Sequence, residues 1–256
     1  MEENVIYKKQ GDIGNVILNK PDKNNTLDFD TLKELIAAFQ ESKENEDICV
    51  IYSAKGKHFT VGADLKYSYS LLDSPERLPE AVGFLESFQD LTRAMLDHPG
   101  IIIAGLHGWV IGGGFEQLLG CDIRIAAEDT RIMLPELGAG LFFSNASTKL
   151  LPRIVGEGNA KYLMLLGEEI NAEEALRLGL VSEICKTTAL NRILKRLANN
   201  ISQKSHLAVK YTKDHLNYNQ NLGIEAVLSR ETIAMRKTGQ SDELKKRLKK
   251  FVEERH

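Results

Sequence analysis

Three consecutive glycines, Gly112 to Gly114, stand just ahead of a carboxylate, Glu116. Glycines at a helix start leave the backbone N–H groups pointing outward with no side chain in the way. The helix dipole adds partial positive charge there. Such a site binds an anion, or stabilises one that forms during a reaction. A carboxylate one turn into that helix is an acid or base beside an electrophile-activating group. The same residues also suit a tight strand-to-helix turn, with Glu116 a solvated first-turn acid. The glycines alone leave both readings open.

Placing such a site takes specific elements. The apolar run 101–106 reads as a buried strand that feeds a short turn and then the glycines. Residues 115–120 read as the helix, residues 123–126 as the next strand, and Pro135-Glu136 closes the stretch. Upstream, residues 5–9 and 15–18 read as two short strands around Gly11-Asp12, and 48–53 as a further buried strand. Asp30 is an N-cap candidate for a helix over 31–44, whose apolar face is Leu32, Leu35, Ile36 and Phe39. Ser74-Pro75-Glu76 resembles a helix start, and Pro79 is expected to interrupt the helix begun there. Leu85, Phe88, Leu91, Met95 and Leu96 predict a long amphipathic helix ending near His98-Pro99. His98 and His107 are read as structural. Residues 159–166, 172–178 and 188–200 read as helices, and 206–255 as nearly all helical.

Composition narrows the class. The chain has 256 residues, 43% hydrophobic and 27% charged, which is ample for a large core. A formal net charge of -3 gives no basic field for nucleic acid. Cys49, Cys121 and Cys185 have no CxxC spacing and sit in or beside apolar segments, which predicts free thiols in a reducing compartment. The N-terminus reads as neither a signal nor a transit peptide. No apolar run approaches the ~20 residues of a membrane helix. The expectation is a soluble, cytoplasmic protein with no nucleic-acid or membrane partner and no metal.

Four segments carry a family resemblance. The run I-I-A-G-L-H-G-W-V-I-G-G-G-F-E-Q-L-L-G-C-D resembles the P-x-I-A-A-x-x-G-x-A-x-G-G-G-x-E-L-x-x-x-C-D pattern of the enoyl-CoA hydratase/isomerase (crotonase) superfamily. Phe59 to Lys66 is similar to its F-x-x-G-A-D-[IL]-K, Leu134-Pro135-Glu136 to its P-E element, and Gly179-Leu180-Val181 to its G-L-V. The resemblance runs over nearly the whole chain. It implies an α/β fold, a spiral of ββα repeats over residues 1–200 that binds acyl-CoA. It also implies a C-terminal helical trimerisation subdomain over 201–256, giving a homotrimer or a dimer of trimers. Leu222, Ala226, Leu228, Ile233 and Met235 make apolar faces there that a helical tail cannot bury alone.

The resemblance also assigns roles. Backbone N–H groups of Ala63 and Gly113 would form an oxyanion hole for the thioester oxygen. Glu116 and Glu136, twenty residues apart, would hold the water and exchange the α-proton. Substrate and CoA contacts would come from Lys23, Asn25, Leu27, Asp64, Leu65, Lys66, Gly112 and Phe251. Lys20 is a further phosphate candidate, and a solvated loop lysine is the competing reading for Lys20, Lys23 and Lys66. Lys213 keeps the family's A-x-x-x-[KR] helix element. Coenzyme A belongs to the substrate, so no separate cofactor is expected. The chain departs from the family pattern at 137–148, where Phe142, Phe143, Asn145 and Ala146 replace the usual proline and glycines. Bulk there is expected to reshape the acyl pocket beside the second acid. Glu254 stands where lysine is usual, with Arg255 beside it. The expected reaction is addition of water to a trans-2-enoyl-CoA. Alternatives are a Δ3,Δ2-enoyl-CoA isomerase, decarboxylation, thioester hydrolysis, or a non-catalytic acyl-CoA-binding protein.

Overall fold

The computed structural model describes residues 3–253, the side chain of Phe251 excepted. The strands among the described residues are β1 (Val5–Gln10), β2 (Ile13–Leu18), β3 (Cys49–Ala54), β4 (Ile101–Leu106), β5 (Trp109–Ile111), β6 (Ile123–Ala127), β7 (Arg131–Met133), β8 (Ile170–Asn171) and β9 (Glu183–Cys185). The α-helices among the described residues are α1 (Phe29–Glu44), α2 (Leu65–Leu72), α3 (Leu78–Leu96), α4 (Gly113–Glu116), α5 (Ser147–Val155), α6 (Glu157–Leu166), α7 (Ala172–Arg177), α8 (Leu190–Ser202), α9 (His206–Tyr218), α10 (Ile224–Gly239) and α11 (Asp242–Glu253).

Six strands form one sheet in the order β1-β2-β3-β4-β6-β9. Within this sheet β1 and β2 pair antiparallel, and from β2 onward every pair is parallel. Alternation sorts the side chains to the two faces. Val50, Tyr52 and Ile102 join Leu35, Phe39, Leu91 and Met95 on the face covered by α1 and α3. Cys49, Ile51, Ile103 and Ile125 face Ile193 and Leu194 of α8.

A second sheet, in the order β5-β7-β8, is small and has no counterpart in the sequence reading. Its strands are two or three residues long, too short for alternation to show. It matters most for the site. β5 and β7 run parallel, pairing Trp109 with Arg131 and Ile111 with Met133.

Several element ends differ from expectation. Asp28, not Asp30, caps α1: its carboxylate accepts from the Thr31 N–H, so the helix starts at Phe29. Pro79 does not interrupt a helix; it lies in the first turn of α3, where its missing N–H costs nothing. The helix after the glycines starts at Gly113, not at residue 115, and after one turn tightens into a 3-10 turn over Gln117–Gly120. Helix α5, which contains Pro152, is an addition to the expected elements.

The C-terminal helices are tied to the sheet layer by an internal ion pair. Lys213 of α9 is 3% exposed. Its Nζ lies 2.8 Å from Asp122 and donates to the carbonyls of Met95 and Gly100. This lysine is structural, which accounts for the A-x-x-x-[KR] element in this chain. Helix α10 buries only Ala234 and leaves Ile224, Leu228, Ile233 and Met235 exposed. No helix among the described residues is long and apolar enough to cross a membrane.

Candidate active site

Adjacent parallel strands β3 and β4 send their following loops off the same edge of the sheet. That edge is where ligands gather in parallel α/β folds. The loop after β3 turns back and pairs with β5: Phe59 N–H donates to His107 O, Thr60 N–H to Trp109 O, and Ile111 N–H to Thr60 O. This strand-like contact brings Gly62-Ala63 against Gly112-Gly113. A Cβ on Gly62 would sit 3.8 Å from the Gly113 nitrogen, and one on Gly114 would sit 3.2 Å from Gly62 Cα. Neither the Ala63 nor the Gly113 amide has a hydrogen-bond acceptor among the described residues. Both line one cavity of about 530 Å³. Two unpaired donors facing one cavity are what a developing oxyanion requires.

Both expected glutamates line the same cavity. Glu116 ends α4, while Glu136 follows β7 through Leu134-Pro135. The parallel β5–β7 pair is what joins them, because the Gly112 N–H donates to Met133 O at 2.9 Å. Gly112 has φ +56, and a Cβ there would lie 2.8 Å from Glu136 Oε1. Only glycine fits at this position. Gly112 therefore shapes the site through its missing side chain.

The two carboxyl groups have unlike surroundings. Glu116, 1% exposed, has one oxygen surrounded by donors. Its Oε2 accepts from Ser147 Oγ at 2.6 Å, from Ser144 N–H at 2.9 Å and from Asn145 N–H at 3.4 Å. Glu136, 7% exposed, has a buried Oε2 with no hydrogen-bond partner. Burial, and secondarily the neighbouring Glu116, pushes its carboxyl up to about 7. One acid is an anchored acceptor and the other an unsatisfied proton carrier. Environments that separate two carboxyl groups in this way set up paired acid/base work.

The divergent segment 137–148 lines the cavity that holds Glu136 through Leu141 and Phe142, and it also reaches the first acid. Asn145 is fully buried and turns away, donating to Phe88 O and Thr92 Oγ1 of α3. Ala146 takes the left-handed conformation at φ 56. This fixes Ser144 and Ser147 on Glu116, the first acid. Phe142 projects at the cavity mouth, 75% exposed. Sequence reading misses Ser144 and Ser147; the only available signal is Ser147 standing at the [TS] of the family's G-[GA]-[TS].

The expected nucleotide loop divides. Asn25 is fully buried: its Oδ1 accepts from Lys20 N–H, and its Nδ2 donates to Lys55 O and His58 O. Leu27 is fully buried, and its backbone bonds to Gly62 and Asp64. These two side chains face the interior and brace the Gly62-Ala63 loop, away from the ligand contact expected of them. Lys20 is also enclosed, with Nζ 2.5 Å from Asp28. Asp64 caps α2 by accepting from the Tyr67 N–H. Lys23 and Lys66 are exposed, and Leu65, 71% exposed, lines the cavity. Phe251 lies in α11 with its side chain outside the described atoms; Glu254 and Arg255 lie outside the described residues. His98 is buried between Gly100 and Ser42, and burial lowers its imidazole to about 4. His107 Nε2 is 3.2 Å from Gly56 O. Neither histidine lines the cavity.

A mixed α/β core whose crossed loops pair unpaired amides with two buried carboxyl groups defines an acyl-thioester site of the crotonase kind. Known proteins agree: residues 8–256 match the enoyl-CoA hydratase/isomerase family, and the chain belongs to it. It is 33% identical to a short-chain-enoyl-CoA hydratase of Clostridium acetobutylicum over 254 residues, 98% of this chain and 95% of that relative. It is 32% identical to a crotonyl-CoA hydratase of Syntrophomonas wolfei over 255 residues, 99% and 96% of the two chains. Among solved structures, an enoyl-CoA hydratase from Bacillus anthracis superposes with a TM-score of 0.91 at 26% identity, covering 98% of this chain and 96% of that one. One from Thermoplasma volcanium gives 0.88 at 26% identity, with 97% of each chain covered.

Proposed function

We propose that the chain catalyses reversible syn addition of water to a trans-2-enoyl-CoA thioester. The observation that carries this reading is the pair of buried carboxyl groups on one cavity, Glu116 held by donors and Glu136 with an unpartnered Oε2. The thioester oxygen accepts from the Ala63 and Gly113 N–H groups. Water held between the glutamates gives a proton to Glu116, and its oxygen bonds to the β-carbon. The alkene electron pair moves to the α-carbon and the thioester oxygen as an enolate. Glu136 then gives its proton to the α-carbon. The pair begins and ends with one proton in total: the Glu136 proton is now on the α-carbon, and Glu116 holds the one from water. Each oxyanion donor supplies roughly 3–4 kcal/mol of the barrier reduction.

Coenzyme A arrives as part of the substrate, and the proposal needs no other cofactor or metal. Exposed Lys23 and Lys66 are the cations we assign to its phosphates. We further propose a homotrimer or dimer of trimers in the cytoplasm, with residues 201–256 as the assembly piece. The exposed apolar side chains of α10 support this.

The test is a pair of assays on wild type, Glu116→Gln and Glu136→Gln: hydration of 2-enoyl-CoAs and double-bond shift of a 3-enoyl-CoA. Hydration falling ~10²–10⁴-fold in each variant supports the two-carboxylate mechanism. Isomerisation that survives one substitution, with no hydration in wild type, would replace it by a one-carboxylate isomerase.

A further inference from the structure

The cavity that holds the two glutamates continues well beyond them. Phe88 of α3 marks the catalytic end, since a Cβ on Gly113 would lie 2.9 Å from its ring. Leu85, Phe84 and Ala81 line the cavity on the preceding turns of α3. From Phe88 to Ala81 is seven residues, about 10 Å of helix, which matches an extended chain of roughly eight carbons. The volume agrees. A four-carbon acyl group, with its carbonyl oxygen, fills only ~150 Å³ at about 30 Å³ per heavy atom, against the cavity's 530 Å³.

The lining also restricts chemistry. Apart from Glu116 and Glu136, no side chain around the cavity is charged among the described residues. Its two hydroxyls are already bonded within the protein: Ser68 Oγ donates to Asp64 O and Ser144 Oγ to Asn145 Oδ1. A substrate carboxylate, hydroxyl or amide here would lose its water without gaining a donor. At the mouth, Leu72, Leu85, Leu141 and Phe142 line the cavity and remain 71%, 54%, 49% and 75% exposed. That is a contiguous apolar surface without a cover.

We infer that the preferred acyl group is an uncharged hydrocarbon chain of about eight to ten carbons, lying along α3 from Phe88 to Ala81 and covered at the mouth by Leu72, Leu141 and Phe142. This rests on the hydratase reading of the same site. It distinguishes the chain from the short-chain specificity in the names of its relatives.

The experiment measures kcat/KM for trans-2-enoyl-CoAs of four to twelve carbons, together with a 2-enoyl-CoA bearing a terminal carboxylate. A buried methylene is worth ~0.8 kcal/mol, about fourfold each. The expected profile rises at least tenfold from four carbons to a maximum at eight to ten, with the carboxylated substrate at least tenfold below its hydrocarbon counterpart. A maximum at four carbons overturns the inference and leaves the hydratase reading standing. Calorimetric binding of decanoyl-CoA and butyryl-CoA, which cannot be hydrated, reads the cavity without the chemistry. Tenfold tighter decanoyl-CoA binding with no hydration of any substrate would sink the reaction and keep the substrate class; equal affinities would sink the class. Ala81→Phe should lower the ten-carbon to four-carbon ratio of kcat/KM at least fivefold. An unchanged ratio counts against the proposed path of the chain.

Discussion

Ser147 Oγ lies 2.6 Å from Glu116 Oε2, and this contact joins the first residue of α5 to the last residue of α4. With the Ser144 N–H at 2.9 Å on the same oxygen, it fixes the carboxylate to which the proposed mechanism assigns the water. A hydrogen bond to a charged group is worth roughly 1.5–3 kcal/mol. Ser147→Ala is therefore expected to lower kcat for hydration ten- to hundredfold, with little change in KM. Ser147→Thr, which restores the hydroxyl, should recover most of the loss. A serine serving only helix packing would give no such recovery of kcat.

Glu136 gives the site its pH dependence. Its carboxyl sits near 7 in the folded protein, raised from 4.5 chiefly by burial. The proposed reaction needs a single proton on the Glu116–Glu136 pair in both directions. Above pH 7 that proton is lost, so kcat/KM for hydration and for dehydration should each fall about tenfold per pH unit. A flat profile from pH 7 to 9 would contradict the assignment.

The same shift has a sign for stability. The folded state holds the Glu136 proton more tightly than the unfolded chain. Stability from this group is present below pH 4.5 and declines as pH rises to 7, by up to ~3 kcal/mol. Glu136→Gln removes that decline. Urea unfolding should therefore show the variant gaining on wild type between pH 4.5 and 7.

Gly112→Ala should damage the site without removing a reactive group. The position has φ +56, and the new Cβ would lie 2.8 Å from Glu136 Oε1. Backbone strain alone is worth ~1–3 kcal/mol, and relief requires Glu136 to move. Loss of hydration by at least a hundredfold, with a lowered Tm, is the expected result.

Lys213 is predicted to hold α9 on the core. Removing one partner of a buried ion pair costs ~3–5 kcal/mol, and Lys213→Ala would take the ammonium from Asp122, which keeps only the Ile102 N–H, and from the carbonyls of Met95 and Gly100. Hydrogen exchange should quicken in α9, and urea unfolding should shift to lower concentration. Acyl-CoA phosphate affinity of the folded fraction should stay as it is, because this lysine faces the interior.

Much of the site is legible in the residues because the chemistry depends on local features. Glycines ahead of a helix, a carboxylate one turn in and a P-E element appear as short motifs. The family resemblance supplies Ala63 and Gly113 as amide donors, and the structure brings them together. Burial is not legible. Asn25 and Leu27 sit in a polar loop by composition, yet side-chain bonds to Lys55 and His58 and the backbone pairing with Gly62 turn them inward. Asp30 reads as the cap of α1, and only the Thr31 contact shows that Asp28 fills that place.

By itself, the sequence determined the family, the α/β class, the paired glutamates and the absence of a basic field, because composition, periodicity and motif spacing are properties of the chain. Tertiary structure alone decided which groups meet. Parallel pairing of the three-residue strands β5 and β7 sets Glu136 beside Gly112, and Asn145 bonding to α3 turns Ser147 onto Glu116. Those contacts join residues far apart in the chain through backbone hydrogen bonds and buried packing, which leave no local pattern in the sequence.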